Sequence, residues 1–193
     1  MLTRGLQQMM LLQSPSVRGF WHFRLVIVAL SSLLLSSCAK EQLADPMCRI
    51  APMFSPAPAA PAACFIKLDT KLLVIKLQND NGWQLPSGSM NMQQSAQCTA
   101  HQAVWQNTGL NVEVGQLLAT RPDNLHIYAC SLSNGFENLA QALPVPEWAE
   151  RRVVNINVIN PNLTTSSQWS EKSDLILLTE LFNNDEQDHD FAP

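Results

Sequence analysis

The sequence predicts an α+β domain with a mixed sheet held between helices. Three observations predict it. Short apolar, partly β-branched runs recur from Ala63 to Ile159. One segment with helical periodicity, Gln93–Thr108, interrupts them. A second apolar segment, Leu175–Phe182, closes the series as a helix.

The elements follow in chain order. Ala63–Leu68 and Lys71–Leu77 flank Asp69-Thr70 and read as a hairpin. Trp83-Gln84-Leu85 is a short strand closed by Pro86-Ser87-Gly88. Met92, Ala96, Ala100, Ala103 and Val104 recur at helical spacing, and Gly109 is a natural stop. Asn111–Thr120 and Leu125–Leu132 read as two strands, Pro144-Val145-Pro146 as a loop, and Arg151–Ile159 as an alternating strand. From Asn183 the tail is acidic and expected to be loose. The domain therefore spans 62–183, followed by an acidic flexible tail, 184–193.

Composition narrows the function. Of 193 residues, 46% are apolar, enough to bury a core, and only 15% are charged, where about 25% is usual. Asn and Gln number 29 against 28 charged residues. A net charge of −4 argues against a nucleic-acid binder, which needs a basic surface. Low charge also disfavours a hyperthermophile protein built on ion-pair networks. From Asn81 to Val112 the chain carries no Asp, Glu, Lys or Arg, only His101.

The N-terminal region reads as an address. Arg4, Arg18 and Arg24 precede an apolar run, Leu25–Leu35, which leads to Leu35-Ser36-Ser37-Cys38. A basic stretch, an apolar core and small residues in that order make a signal peptide. The apolar run is shorter than the roughly 20 residues of a spanning helix. Leu35-Ser36-Ser37-Cys38 resembles a bacterial lipobox, in which the Cys is acylated and becomes the new N-terminus. The resemblance implies a signal peptide, 1–37, and membrane lipid held through acylated Cys38. Ala39, rather than Asp, implies the outer membrane, facing the periplasm. Removing the leader leaves 9 basic and 16 acidic residues, near −7, so acyl chains rather than charge hold the protein to lipid. Residues 38–61, with Pro46, Pro52, Pro56, Pro58 and Pro61, read as a semi-stiff tether.

Lipidation leaves Cys48, Cys64, Cys98 and Cys130. Outside the cytoplasm disulfides persist, and four cysteines allow three connectivities. The preferred pairing is Cys98–Cys130 with Cys48–Cys64; small buried hydrophobes are the other reading. No CxxC spacing points to zinc.

Gly-Trp-Gln-Leu-Pro-Ser-Gly (82–88), a helix, and then Thr-Gly-Leu (108–110) resemble the Nudix hydrolases. That family carries the box G-x5-E-x7-R-E-U-x-E-E-x-G-U, with U a bulky aliphatic residue. Gly88 to Leu110 has the box length, and Gly88, Val104, Gly109 and Leu110 take their places. Trp83-x-Leu-Pro and Asn111-Val-Glu-Val flank it in the family manner. The resemblance implies a Nudix-like α/β/α sandwich, cleavage of diphosphate-linked substrates, and Mg²⁺ or Mn²⁺ held by box carboxylates.

The charged positions depart from the box. Gln94 stands for the first Glu, Gln102 for the Arg, Ala103 for the next Glu, and Gln106 and Asn107 for the last Glu pair. Hard divalent cations prefer anionic oxygen ligands, and an amide cannot act as a general base. Without a substitute carboxylate, the family reaction falls by about 10⁴-fold or more.

Ser87-Gly88-Ser89 is a candidate anion-binding turn feeding a helix N-terminus; a plain tight turn is its other reading. His101 and Trp105 form either a ligand-stacking pair or packing, and Trp83 and Trp148 read as packing. Asp69, Asp80, Glu113, Asp123, Glu137, Glu147 and Glu150 are the acids that a loop has to offer as a metal ligand. Asn162-Leu163-Thr164 matches a glycosylation sequon that the bacterial leader makes incidental.

The expectation is a membrane-anchored Nudix-fold lipoprotein, catalytically impaired, that serves as a binding or scaffold module in the cell envelope. A divergent hydrolase of nucleoside diphosphate-X substrates using Mg²⁺ or Mn²⁺ is the alternative. A third reading places the main contacts in the tether or tail. A diphosphate-containing ligand is the expected small molecule; the protein partner stays open.

Overall fold

The structure is a computed structural model and describes residues 44–132, 142–149 and 151–189, with side chains described to residue 184. The leader, Cys38, Glu137, Glu150 and the last four tail residues lie outside the described residues.

Eight strands and two helices are described: β1 (Ala62–Phe65), β2 (Lys67–Leu68), β3 (Lys71–Leu77), β4 (Ser87–Gly88), α1 (Ala96–Thr108), β5 (Val112–Thr120), β6 (His126–Leu132), β7 (Ala142–Leu143), β8 (Val153–Ile159) and α2 (Asp174–His189). Two short 3-10 turns, Pro161–Leu163 and Ser166–Gln168, join β8 to α2.

The strands form two four-stranded sheets, ordered β4-β1-β6-β5 and β2-β3-β8-β7. The first is mixed, because β1 runs parallel to β6 and antiparallel to β4. The second is antiparallel. The expected run Ala63–Leu68 breaks at Ile66, so the chain leaves one sheet and enters the other. There Leu73 N–H donates to the Ile66 carbonyl at 3.0 Å. The hairpin turn lies at Asp69, whose φ of 53° is left-handed; a short polar side chain tolerates that conformation.

Alternation along β1 and β3 builds two core layers. Ala62, Cys64, Leu73 and Ile75 pack with Ala96, Ala100 and Val104 of α1. Ala63, Phe65, Leu72 and Val74 pack with Leu178 and Phe182 of α2. Successive strand side chains point to opposite faces, so both faces are covered and the strands read as continuous apolar runs. Fully burying a side chain such as Phe182 contributes about 1.5–3 kcal/mol.

Helix α1 starts at Ala96, later than the expected Gln93, because Ser95 caps it: its Oγ accepts from Cys98 N–H at 3.3 Å. Gly109 ends it at φ 72°, donating its N–H to the Trp105 carbonyl at 2.8 Å. Helix α2 continues to His189, past the Asn183 where the sequence suggests a loose tail. Asn183 exchanges amide hydrogen bonds with Asn162, which fastens this part of the helix. Among the described residues no helix is long and apolar enough to cross a membrane.

Two sequence expectations are corrected here. The disulfides are Cys48–Cys98 and Cys64–Cys130, not Cys98–Cys130 with Cys48–Cys64. Parallel pairing of β1 with β6 brings Cys64 beside Cys130, and docking of the upstream segment brings Cys48 to α1. The second correction concerns that segment. Residues 45–60 lie against the domain instead of forming a free tether. Asp45 accepts from Gln102 at 2.9 Å, Arg49 pairs with Glu113 at 3.4 Å, and Ile50 bridges to Val114 in parallel. Gln97 receives the Ala57 N–H and donates to the Ser55 carbonyl. Proline makes the segment extended, and the backbone groups of β5 give it somewhere to bind.

Candidate functional site

The candidate site is built on α1 and β4. Gln94 Nε2 donates to Gln102 Oε1 at 3.0 Å and contacts Thr99 Oγ1 at 3.3 Å. Gln102 in turn donates to Asp45. The two box positions of opposite charge thus hold one neutral amide pair. Ala103 is buried. Asn107, also buried, turns its Nδ2 back onto the Ala103 carbonyl at 2.7 Å. At Gln106 the backbone carbonyl accepts from Arg152 Nη2 at 3.2 Å. A guanidinium near the last turn complements the negative end of the helix.

Ser87-Gly88-Ser89 precedes the Ser95 cap of α1 and is part strand. Ser87 and Gly88 are β4 and pair with Ala63 and Ala62. Gly88 packs on the middle of α1: an added Cβ would stand 3.2 Å from Ala103 Cβ and 3.3 Å from Thr99 Cγ2. The N-terminal turn of the helix is capped by Ser95 instead. Gly88 therefore secures close contact between strand and helix.

His101 is buried and shares a 2.9 Å hydrogen bond with Asn111 Oδ1. Burial holds its pKa below the ordinary histidine range, with the Asn111 bond pulling the other way. Buried, it offers no face for a ligand to stack on. Trp105 stacks on Trp148 instead, with ring centroids 5.5 Å apart. Trp83 bridges Trp169 and carries Lys76 Nζ 4.5 Å from its ring centroid.

The acids are taken up elsewhere. Asp80 accepts from Gly82 N–H and from the Ser170 hydroxyl. Glu113 pairs with Arg49, and Asp69 occupies the hairpin turn. Among the described residues no group of three or more His, Cys, Asp or Glu is placed to hold a metal ion. The divalent ion of the Nudix box does not fit this donor set. Ala103 has no donor, the Asn107 amide is turned to its own helix, and Gln106 offers one neutral carbonyl oxygen.

A feature the sequence did not suggest lies beside β4. Ser87, Gly88, Ser89, Gln84, Arg121 and Asp174 are among the residues around a cavity of about 300 Å³. Arg121 donates through Nε and Nη2 to Asp123, at 3.2 and 3.0 Å, and through Nη1 to Asp174 at 3.0 Å. Burial raises the Asp174 pKa, and Arg121 opposes that shift. Arg121 and Asp174 are 53 residues apart, so only the fold could reveal the pair. The local signal was the Arg121-Pro122-Asp123 turn.

No family model matches the chain. A MutT-like protein of Streptomyces ambofaciens is 26% identical over 92 residues, a match covering 45% of this chain and 60% of that protein. The chain thus spans less than two thirds of the length of this relative. A NUDIX hydrolase from Nitrosomonas europaea superposes with a TM-score of 0.51 at 14% identity, covering 72% of this chain and 77% of that one. An ADP-ribose pyrophosphatase from Streptococcus suis gives 0.51 at 18% identity, covering 67% and 92%. A UDP-X diphosphatase gives 0.50 at 14% identity, covering 88% and 82%. The domain has the Nudix fold, an α+β arrangement of sheets between helices.

Proposed function

We propose that this protein is a lipid-anchored Nudix-fold module that binds a diphosphate-containing ligand or a protein partner in the cell envelope and does not hydrolyse diphosphates. One observation carries the reading. The five charged positions of the box hold Gln94, Gln102, Ala103, Gln106 and Asn107, so none of them carries a charge; Gln94 and Gln102 bond to each other, Asn107 bonds to its own helix, and the one carboxylate in hydrogen-bond contact, Asp45, comes from outside the helix and accepts from Gln102. Such a face supplies neither the anionic ligands of a divalent ion nor a general base. Anchoring through acylated Cys38, in the outer membrane facing the periplasm, rests on the lipobox resemblance. The diphosphate ligand rests on the fold's likeness to a UDP-X diphosphatase and an ADP-ribose pyrophosphatase.

The test uses the full chain with ADP-ribose and a UDP-sugar in Mg²⁺ or Mn²⁺. The expected result is no release of nucleoside monophosphate, with a thermal shift on adding one of the two compounds. Metal-dependent turnover lost on replacing the loop acids would establish the divergent hydrolase instead. Intact mass of the N-terminal peptide reports acylation of Cys38.

A further inference from the structure

The two disulfides differ in setting. Cys64–Cys130 is buried between β1 and β6, with Cys64 0% and Cys130 6% exposed. Cys48–Cys98 lies outside that core: Cys48 is exposed and Cys98 half-buried. Cys98 is also the third residue of α1, within its first turn. A helix N-terminus stabilises a thiolate, and a stabilised thiolate is the better leaving group.

Cys48 lies in a strap whose downstream end is held by Gln97, which bonds to Ala57 N–H and the Ser55 carbonyl, and whose upstream part, residues 45–54, is held by side-chain contacts at the surface and by main-chain bonds to β5. Asp45–Gln102 and Arg49–Glu113 are exposed contacts. The main-chain bonds are Ala51 N–H to the Val114 carbonyl and Val114 N–H to the Arg49 carbonyl, each 2.9 Å. The two exposed side-chain contacts contribute little singly. The disulfide is the one covalent tie of the strap to α1.

We propose that Cys48–Cys98 is an exchange site for a dithiol reductant and that its reduction releases the upstream part of the strap, residues 45–54, from α1 and β5. The thiolate of the dithiol attacks Cys48 Sγ, the Cys48–Cys98 bond breaks, and its electron pair leaves with Cys98 as thiolate. The second thiol of the dithiol then attacks the mixed disulfide. Cys48 leaves as thiolate, both thiolates take up protons, and the dithiol is oxidised to a disulfide. The domain keeps its core through Cys64–Cys130.

Release changes reach. With the strap docked, residues 39–44 separate Cys38 from the domain, a span of roughly 20 Å when extended. With that part free, residues 39–54 span roughly 54 Å. The proline-rich tether suggested by composition is then the reduced form of this segment. The reach rests on anchoring at Cys38; the exchange does not.

The test is graded dithiothreitol on the folded full chain, with alkylation of each cysteine followed by mass spectrometry and trypsin cleavage after Arg49. Cys48 and Cys98 should be alkylated at least about tenfold faster than Cys64 and Cys130. Arg49 should become cleavable in step with them. Folded Cys48→Ser and Cys98→Ser variants should be cut at Arg49 without reductant. Equal alkylation of all four cysteines, or an uncut Arg49 once Cys48 and Cys98 are alkylated, overturns the proposal. An unacylated Cys38 overturns the reach and leaves the exchange standing.

Discussion

Gln94 donates a hydrogen bond to Gln102 across 3.0 Å, at the two positions where a Nudix box places a Glu and an Arg. The pair is joined by a hydrogen bond and carries no charge. The structure therefore predicts coupling between the sites. Gln94→Glu alone leaves a carboxylate without a cation, and Gln102→Arg alone gains Asp45 as partner. In a double-mutant cycle by urea unfolding, Gln94→Glu with Gln102→Arg should recover about 0.2–1 kcal/mol relative to the sum of the singles. Additive effects would mean that the amide pair is incidental.

His101 predicts a pH dependence. Burial depresses its pKa in the folded state below the 6.5 of an exposed histidine. The unfolded chain then binds more protons between the two values. Its stabilising contribution is complete above pH 6.5 and falls as pH drops through the window below, by at most about 1.4 kcal/mol per pH unit. Urea midpoints at pH 7.5 and pH 5 measure it. The wild type should lose more stability across that interval than His101→Gln; equal losses would assign the titration to other groups.

Gly109 closes α1 at φ 72°, where an L side chain is strained. Gly109→Ala should cost about 1 kcal/mol, read as a lowered thermal midpoint. An added Cβ also meets Pro146 Cγ at 3.1 Å, which makes the loss larger if that loop cannot yield. Gly109→Asn should be milder on the backbone account, because Asn tolerates the left-handed region. A loss for Asn as large as for Ala would place the cause in the Pro146 contact.

The parts that were legible in the sequence are those encoded locally. Helix α1 follows from the spacing of Ala96, Ala100 and Val104, and its end follows from Gly109. The loss of box charge is visible at Gln106 and Asn107 without coordinates. What was not legible depends on partners far along the chain. Cys48 finds Cys98 because β5 offers backbone bonds to residues 49–51, and no local pattern encodes that. Arg121 meets Asp174 only once β5, β6 and α2 have assembled. Acids from Asp185 onward suggest a solvated coil, yet α2 runs to His189; of those acids only Glu186 is a good helix former, so local propensity does not encode this extension.

Restoring the box tests whether the fold alone supports a metal site. Ala103, Gln106 and Asn107 lie at i, i+3 and i+4 on α1 and share a face. Ala103→Glu, Gln106→Glu and Asn107→Glu together should lower stability without metal. The new carboxylates repel one another, and a Glu at 103 has little room beneath Gly88. Mg²⁺ or Mn²⁺ should reverse that loss, by about 2.7 kcal/mol at a hundredfold excess over Kd. The wild type should show no such shift, because its amides offer too little charge to displace the ion's water. A wild-type shift of equal size, abolished by replacing the loop acids with their amides, would mean that a loop carboxylate supplies what the helix lacks. The absence of any shift in the triple variant would mean that Gly88 and α1 no longer hold the geometry a metal needs.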